Sequence, residues 1–198
     1  MSKHLCTLVA VFLLSSCAGS PVIGVSPKHG SETEEYAVYD TLIERMYVRD
    51  QVEQFVIKDQ TSLDSFNEDE LDSIFQRVSR KLIALQKTTF NDFQGKNKEP
   101  QRLDESFNLS IHYVLISKPE GDELLYKSAD GWAAFYKKYP KSQGIITLSR
   151  VGFNPEMNQA LVYIGNQSGP KSGAGYYVLL SRENGTWVIK DRYGAWLS

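Results

Sequence analysis

Three runs within Ile145–Trp196 decide the fold: IITLSRVGFN over 145–154, QALVYIG over 159–165 and GYYVLLSRENGTWVIKDRYGAW over 175–196. Apolar, aromatic and β-branched residues recur in short runs broken by turn residues, the pattern of half-buried strands. Ala160, Val162 and Ile164 share one face of a strand; Leu161 and Tyr163 share the other. Tyr176, Val178 and Leu180 alternate with Tyr177 and Leu179 in the next strand. Asn184-Gly185 supplies the positive φ angles of a tight hairpin turn, and Trp187 and Ile189 continue on one face beyond it. The stretch therefore predicts an antiparallel meander. Large apolar groups on both faces require cover on both, from helices on one side and from earlier strands or loops on the other.

Upstream, Ser31-Glu32-Thr33-Glu34 fits a capping box at the start of a helix running to about Val48. Tyr36, Tyr39, Leu42, Ile43, Met46 and Tyr47 fall on one face of it. Val52–Asp59 predicts a short strand. Asn67 is a plausible cap for a second helix, whose stripe is Leu71, Ile74, Phe75, Val78, Leu82 and Leu85. In Thr88–Asn108, Phe90 and Phe93 read as anchors that one helical turn would bring together, and the rest reads as a long polar connection. Leu109–Ser117 predicts a strand, Lys118–Asp122 a turn, and Trp132–Tyr139 a short aromatic helix stopped by Pro140. Gly165–Ser172 predicts a long flexible hairpin connection. The fold class is α+β: one domain over residues 32–198, an antiparallel meander of five or six strands with two or three helices. The nearest familiar architecture is a cystatin-like roll.

The composition is that of an ordinary globular chain, with 41% hydrophobic and 23% charged residues among 198. A formal net charge of −2 offers no basic field, so nucleic acid is not an expected partner. The N-terminus differs. Lys3 and His4 precede an apolar run of Leu5–Leu14, too short to span a bilayer but of the right length for a secretory signal. Leu14-Ser15-Ser16-Cys17 follows directly and resembles the lipobox of bacterial lipoproteins. That resemblance implies cleavage of residues 1–16 and acylation of Cys17, with more than one acyl chain giving a stable anchor. The plainer alternatives are an ordinary cleaved signal with an incidental Cys, or an uncleaved anchor. Residues 17–31 (Ala18–Ser31 is AGSPVIGVSPKHGS) read as a flexible tether. Ala18 after the Cys, rather than Asp, implies by the same resemblance the outer membrane, facing the periplasm, in a Gram-negative host. The chain has two cysteines, Cys6 inside the signal and Cys17, so a processed lipoprotein would keep no free thiol.

Several further motifs recur together: Asp92-Phe93 with Lys96-Asn97, Gly131-Trp132 with Phe135-Tyr136 and Tyr139-Pro140, Ser149-Arg150-Val151-Gly152-Phe153-Asn154, Ala160–Tyr163, Gly173–Leu180, and Asn184–Trp187. They resemble a pattern shared by an uncharacterised family of bacterial secreted proteins and lipoproteins, over about residues 90–196. The resemblance implies common ancestry and carries no chemistry, because no activity travels with that family.

The residues themselves argue against most chemistries. After processing only His29 and His112 would remain, too few for a zinc site or for a Ser-His-Asp triad in a rigid setting, and no Gly-x-Ser-x-Gly elbow is present. Gly165–Ser172 ends in Lys-Ser, but Pro170 stands where a phosphate-binding loop needs Gly, and a strand follows instead of a helix. No cofactor is expected. Arg150 stands out as a charge inside an apolar strand, where it must pair with a carboxylate or line a pocket. Paired structural burial is the expected role; as ligand-binding candidates Arg150, Tyr163 and Asn166 are singled out. The functional expectation is a non-enzymatic envelope module binding a partner protein or small ligand through the concave face or loop edge of the sheet. The alternative is an envelope hydrolase using carboxylates and Arg150, which needs two or more acids converging with Arg150 in a cleft. A purely structural module would instead show a flat apolar patch.

Overall fold

The structure is a computed structural model that describes residues 30–62 and 71–198. The expected signal segment, Cys17, most of the tether and the Asn67 cap lie outside the described residues. The chain runs α1 (Gly30–Tyr47), β1 (Gln54–Lys58), α2 (Leu71–Lys81), α3 (Lys87–Lys96), β2 (His112–Ile116), α4 (Lys118–Asp122), a π-helical turn (Glu123–Lys127), α5 (Trp132–Lys138), β3 (Ser142–Leu148), β4 (Gly152–Phe153), β5 (Gln159–Gly169), β6 (Ser172–Glu183) and β7 (Thr186–Leu197).

The fold is α+β, with one mixed sheet in the order β2-β1-β3-β5-β6-β7 and β4 paired to β5 beside β3. The expectation of an antiparallel meander holds for its second half: β5 is antiparallel to β3, β4 and β6, and β6 to β7. It fails at the other end. β1 lies between β2 and β3 and is parallel to both, so the sheet is mixed; the described residues form seven strands and five α-helices. A strand buried on both faces carries a continuous apolar run, and Phe55-Val56-Ile57 at the centre of β1 is one.

The two faces are covered by different helices. On one face α1 packs Val38, Tyr39, Leu42 and Ile43 against Phe55, Ile57, Ile146, Leu148, Val162, Ile164, Val178 and Leu180. On the other, α2 and α3 bring Ile74, Val78, Phe90 and Phe93 onto Leu161, Tyr163, Tyr177 and Leu179. At the far end of that second face, Phe135 and Tyr139 of α5 meet Val56, Ile116 and Ile145. The faces of Ala160–Ile164 and of Tyr176–Leu180 thus alternate as their spelling requires, one set toward α1 and the other toward α2 and α3. Asn184 and Gly185 take φ of 50° and 83°, as the hairpin between β6 and β7 requires.

Four local expectations are corrected. Thr88–Asn108 is not all connection, because α3 occupies its first part. Gln159, from β5, accepts hydrogen bonds at Oε1 from Gln86 N–H and the Thr89 hydroxyl, both 2.8 Å, and so closes the N-terminus of α3 from a distant strand. Lys118–Asp122 is a helix rather than a turn; Ser117 Oγ accepts from Glu120 N–H at its start. The connection after β5 is short, since β5 runs to Gly169 and β6 begins at Ser172. Finally, α1 begins at Gly30 and so includes Ser31. The Glu34 carboxylate accepts from Trp187 Nε1 at 2.9 Å and pairs with Arg182 at 3.1 Å.

Candidate functional site

The run Ile145–Asn154 reads as one strand, but it breaks at Ser149–Val151 into β3 and β4, and both halves pair with the same edge of β5. Ser149 makes the break possible. Its N–H donates to Tyr163 O at 3.0 Å, while Tyr163 N–H donates to Ser149 Oγ at 2.8 Å. The hydroxyl thereby takes the position of a ladder carbonyl. The Ser149 carbonyl turns away and accepts from the Tyr39 hydroxyl at 2.8 Å.

Helices from both faces close on this break. From α1, Glu35 accepts from Arg150 Nε at 2.9 Å and Nη2 at 2.6 Å, a two-point pairing. Glu35 is 4% exposed, and its Oε2 also lies 3.2 Å from the Tyr39 hydroxyl. From α3, Asn97 accepts from Arg150 N–H at 2.8 Å and donates to Arg150 O at 3.0 Å. Asp92 accepts from Phe153 N–H at 2.8 Å, and Lys96 donates to Val151 O at 3.1 Å. The motifs Asp92-Phe93, Lys96-Asn97 and Ser149–Asn154, about 50 residues apart in sequence, are thus two halves of one clamp. The bond to Glu35, foremost, and its charge hold the Arg150 guanidinium above its ordinary value. Burial, then the Glu35 charge, raises the Tyr39 hydroxyl well above its own. The two shifts keep Arg150 a cation and Tyr39 a neutral phenol.

An open groove lies elsewhere on the sheet. On its second face, α2 and α3 cover one side and α4 with α5 the other, and a groove of about 1020 Å³ runs between them. Its floor is the pairing of β3 with β5, where Thr147 faces Gly165 and Ile145 faces Gln167. A glycine opposite Thr147 leaves the floor hollow. A side chain at 165 would meet the Tyr163 hydroxyl at 2.8 Å, so the hollow and the Tyr163 ring require each other. One wall carries Gln94 and Lys98, from α3 and the residues after it; the facing wall carries Lys118, Leu125 and Tyr126. Trp196 stands at one end. Its Nε1 donates to the Tyr163 hydroxyl at 2.7 Å, and side chains at Gly173 or Gly175 would displace its indole.

Of the three singled-out residues, Asn166 is among those lining the groove, 7% exposed and donating from Nδ2 to Gln143 O at 3.1 Å. Tyr163 is buried beneath the groove and reaches it through Trp196. Arg150 is turned to Glu35 at the strand break and does not line the groove. Two features escaped the sequence reading. Glu35 had a signal: an acid placed three and four residues before Val38 and Tyr39, on the buried stripe of α1. The groove had none, because Thr147 and Gly165 come together only through the register of β3 on β5.

Among the described residues no group of three or more His, Cys, Asp or Glu is placed to hold a metal ion. No helix among them is long and apolar enough to cross a membrane. Comparison with known protein families, with curated proteins and with solved structures returns no match.

Proposed function

We propose that this chain is a lipid-anchored binding protein of the bacterial envelope, carried on Cys17 and holding a small ligand or a segment of an envelope partner in the groove over β3 and β5. In a Gram-negative host its address is the outer membrane, facing the periplasm. The observation that carries the binding role is the groove itself. Its volume, about 1020 Å³, is at the upper end of ligand sites, and it lies between two helical covers over a polar stretch of sheet. A module acting only as scaffold has no use for a hollow that costs the sheet its packing there. The hydrolase reading asks for two or more acids around Arg150 in a cleft. Arg150 pairs with Glu35 at 2.6 Å, and neither residue lines the groove, so no observation favours it.

The test is a chemical-shift map of the isotopically labelled protein titrated with fractionated extract of its own envelope. Shifts concentrated at the Thr147, Gly165, Gln167 and Trp196 amides are expected. Shifts confined to the exposed side of α1, or none with any fraction, overturn the binding role of the groove.

A further inference from the structure

We infer that the occupant of the groove is a neutral saccharide chain, an inference that rests on the binding role proposed above. Charge is the first argument. The lining lysines Lys58, Lys98 and Lys118 are matched by Asp59, Glu99 and Asp122, and Lys118 is paired with Asp122 at 2.9 Å. A lining so balanced offers no field of either sign to an ionic ligand.

What the lining does offer is neutral hydrogen-bonding capacity. The Thr147 side chain lies on the groove floor in a residue 4% exposed, and no described residue takes its hydroxyl as a hydrogen-bond partner. A hydroxyl both donates and accepts, and so do the amides of Gln94 and Gln167 nearby. Sugar hydroxyls are the ligand groups that both donate and accept without charge.

Aromatic placement is the second, independent argument. A sugar ring has an apolar C–H face as well as a hydroxyl edge, and an aromatic side chain supplies a large, rigid apolar surface with a polar tip. Trp196, half-buried at one end of the groove, is held in place by Tyr163 and by the glycines at 173 and 175. Tyr126, 75% exposed, stands on the α4 side. An aromatic fixed before the ligand arrives loses little freedom on binding. A peptide is less well served. The floor strands β3 and β5 spend their backbone groups on each other, so the floor itself offers no strand edge for main-chain pairing.

The experiment uses the full-length protein in detergent, titrated calorimetrically with three neutral probes: chitotetraose, cellotetraose and maltotetraose. A blocked, uncharged hexapeptide of alternating Leu and Ser is the fourth. Saturable one-to-one binding of at least one saccharide is expected, unchanged between low and high salt. Thr147→Val keeps the shape of the side chain and removes the hydroxyl, and Gln94→Ala trims a half-buried wall residue. Each is expected to weaken that binding about tenfold, the effect of one lost hydrogen-bond partner, in protein whose melting temperature stays near that of the parent. Binding of the hexapeptide with no response to any saccharide overturns this inference and leaves the groove reading standing. Saccharide binding indifferent to both substitutions overturns the placement in the groove. If the envelope titration also leaves the groove amides unmoved, both readings fall.

Discussion

Arg150 Nε and Nη2 reach the two carboxylate oxygens of Glu35 at 2.9 and 2.6 Å, joining the break between β3 and β4 to the first turns of α1. The two residues are 115 positions apart, and the carboxylate is nearly fully buried. Removing one partner leaves an uncompensated charge in a low-dielectric site. Arg150→Met or Glu35→Gln alone is therefore expected to cost ~3–5 kcal/mol, and the double variant much less than the sum. Urea unfolding of all four proteins gives the coupling; a value near zero would show that the pair adds nothing to stability.

Trp187 lies beyond the β6–β7 turn, 4% exposed, against Phe153 with ring centroids 5.6 Å apart. Trp187→Ala is expected to cost ~3–5 kcal/mol, the range for emptying a buried aromatic site. Trp187→Phe keeps a ring and gives up the bond to Glu34, so its expected cost is only ~1 kcal/mol. Equal costs for the two variants in thermal unfolding would mean that the indole N–H, not the ring, matters at this site.

Gly152 is where α3 touches β4. A methyl group there would collide with the backbone and Cβ of Phe93. Neither is the end of a flexible side chain, so α3 must shift as a unit and strain the Asp92 and Asn97 bonds. Gly152→Ala is expected to cost ~1–3 kcal/mol, the usual effect of overpacking. Faster hydrogen exchange should follow in α3 and β4 and not in β7. A variant as stable as the parent would require a looser α3 than the structure has.

Asp40 on α1 accepts from Asn108 N–H at 3.0 Å. Burial, with a smaller contribution from Glu44, pushes its carboxyl up to about 6 against the pull of that N–H group. The folded protein thus holds this proton more tightly than the unfolded chain, whose Asp titrates near ~4. The contribution to stability is full below pH ~4 and is lost as pH rises through about 6. Asp40→Asn keeps an acceptor for Asn108 and removes the charge. It is expected to be more stable than the parent at pH 7, with the difference shrinking toward pH 4. Parallel stability profiles for the two proteins from pH 4 to 7 would count against the shift.

The anchor is tested at Cys17. Cys17→Ser should abolish incorporation of labelled palmitate and move the protein from the membrane to the soluble fraction. Membrane partition unchanged in that variant would remove the lipid anchor from the proposal.

The sequence by itself determined which residues face inward and where several elements turn. The alternation in Ala160–Ile164 and Tyr176–Leu180, the Asn184-Gly185 turn and the stripe on α1 are local periods, and a local period fixes a face whatever lies opposite. One element was misread although its signal was local: Ser117-Lys118-Pro119-Glu120 has the spelling of a helix start. The rest was decided by tertiary structure. Phe55-Val56-Ile57 marks a strand buried on both sides but does not name its neighbours, and parallel pairing with β2 and β3 joins segments far apart in the chain. The helix α3 contains Thr88, Thr89, Asn91 and Gly95, weak helix formers all, and it stands because Gln159 caps it and β4 receives Phe93. An apolar strand containing Arg150 implies a partner; only the fold selects Glu35, because a charge is satisfied by whatever acid the packing brings within reach. The groove is of the same kind. Thr147 and Gly165 are unremarkable apart, and a hollow forms only where the register of β3 on β5 sets one opposite the other, with α3 on one side and α4 on the other.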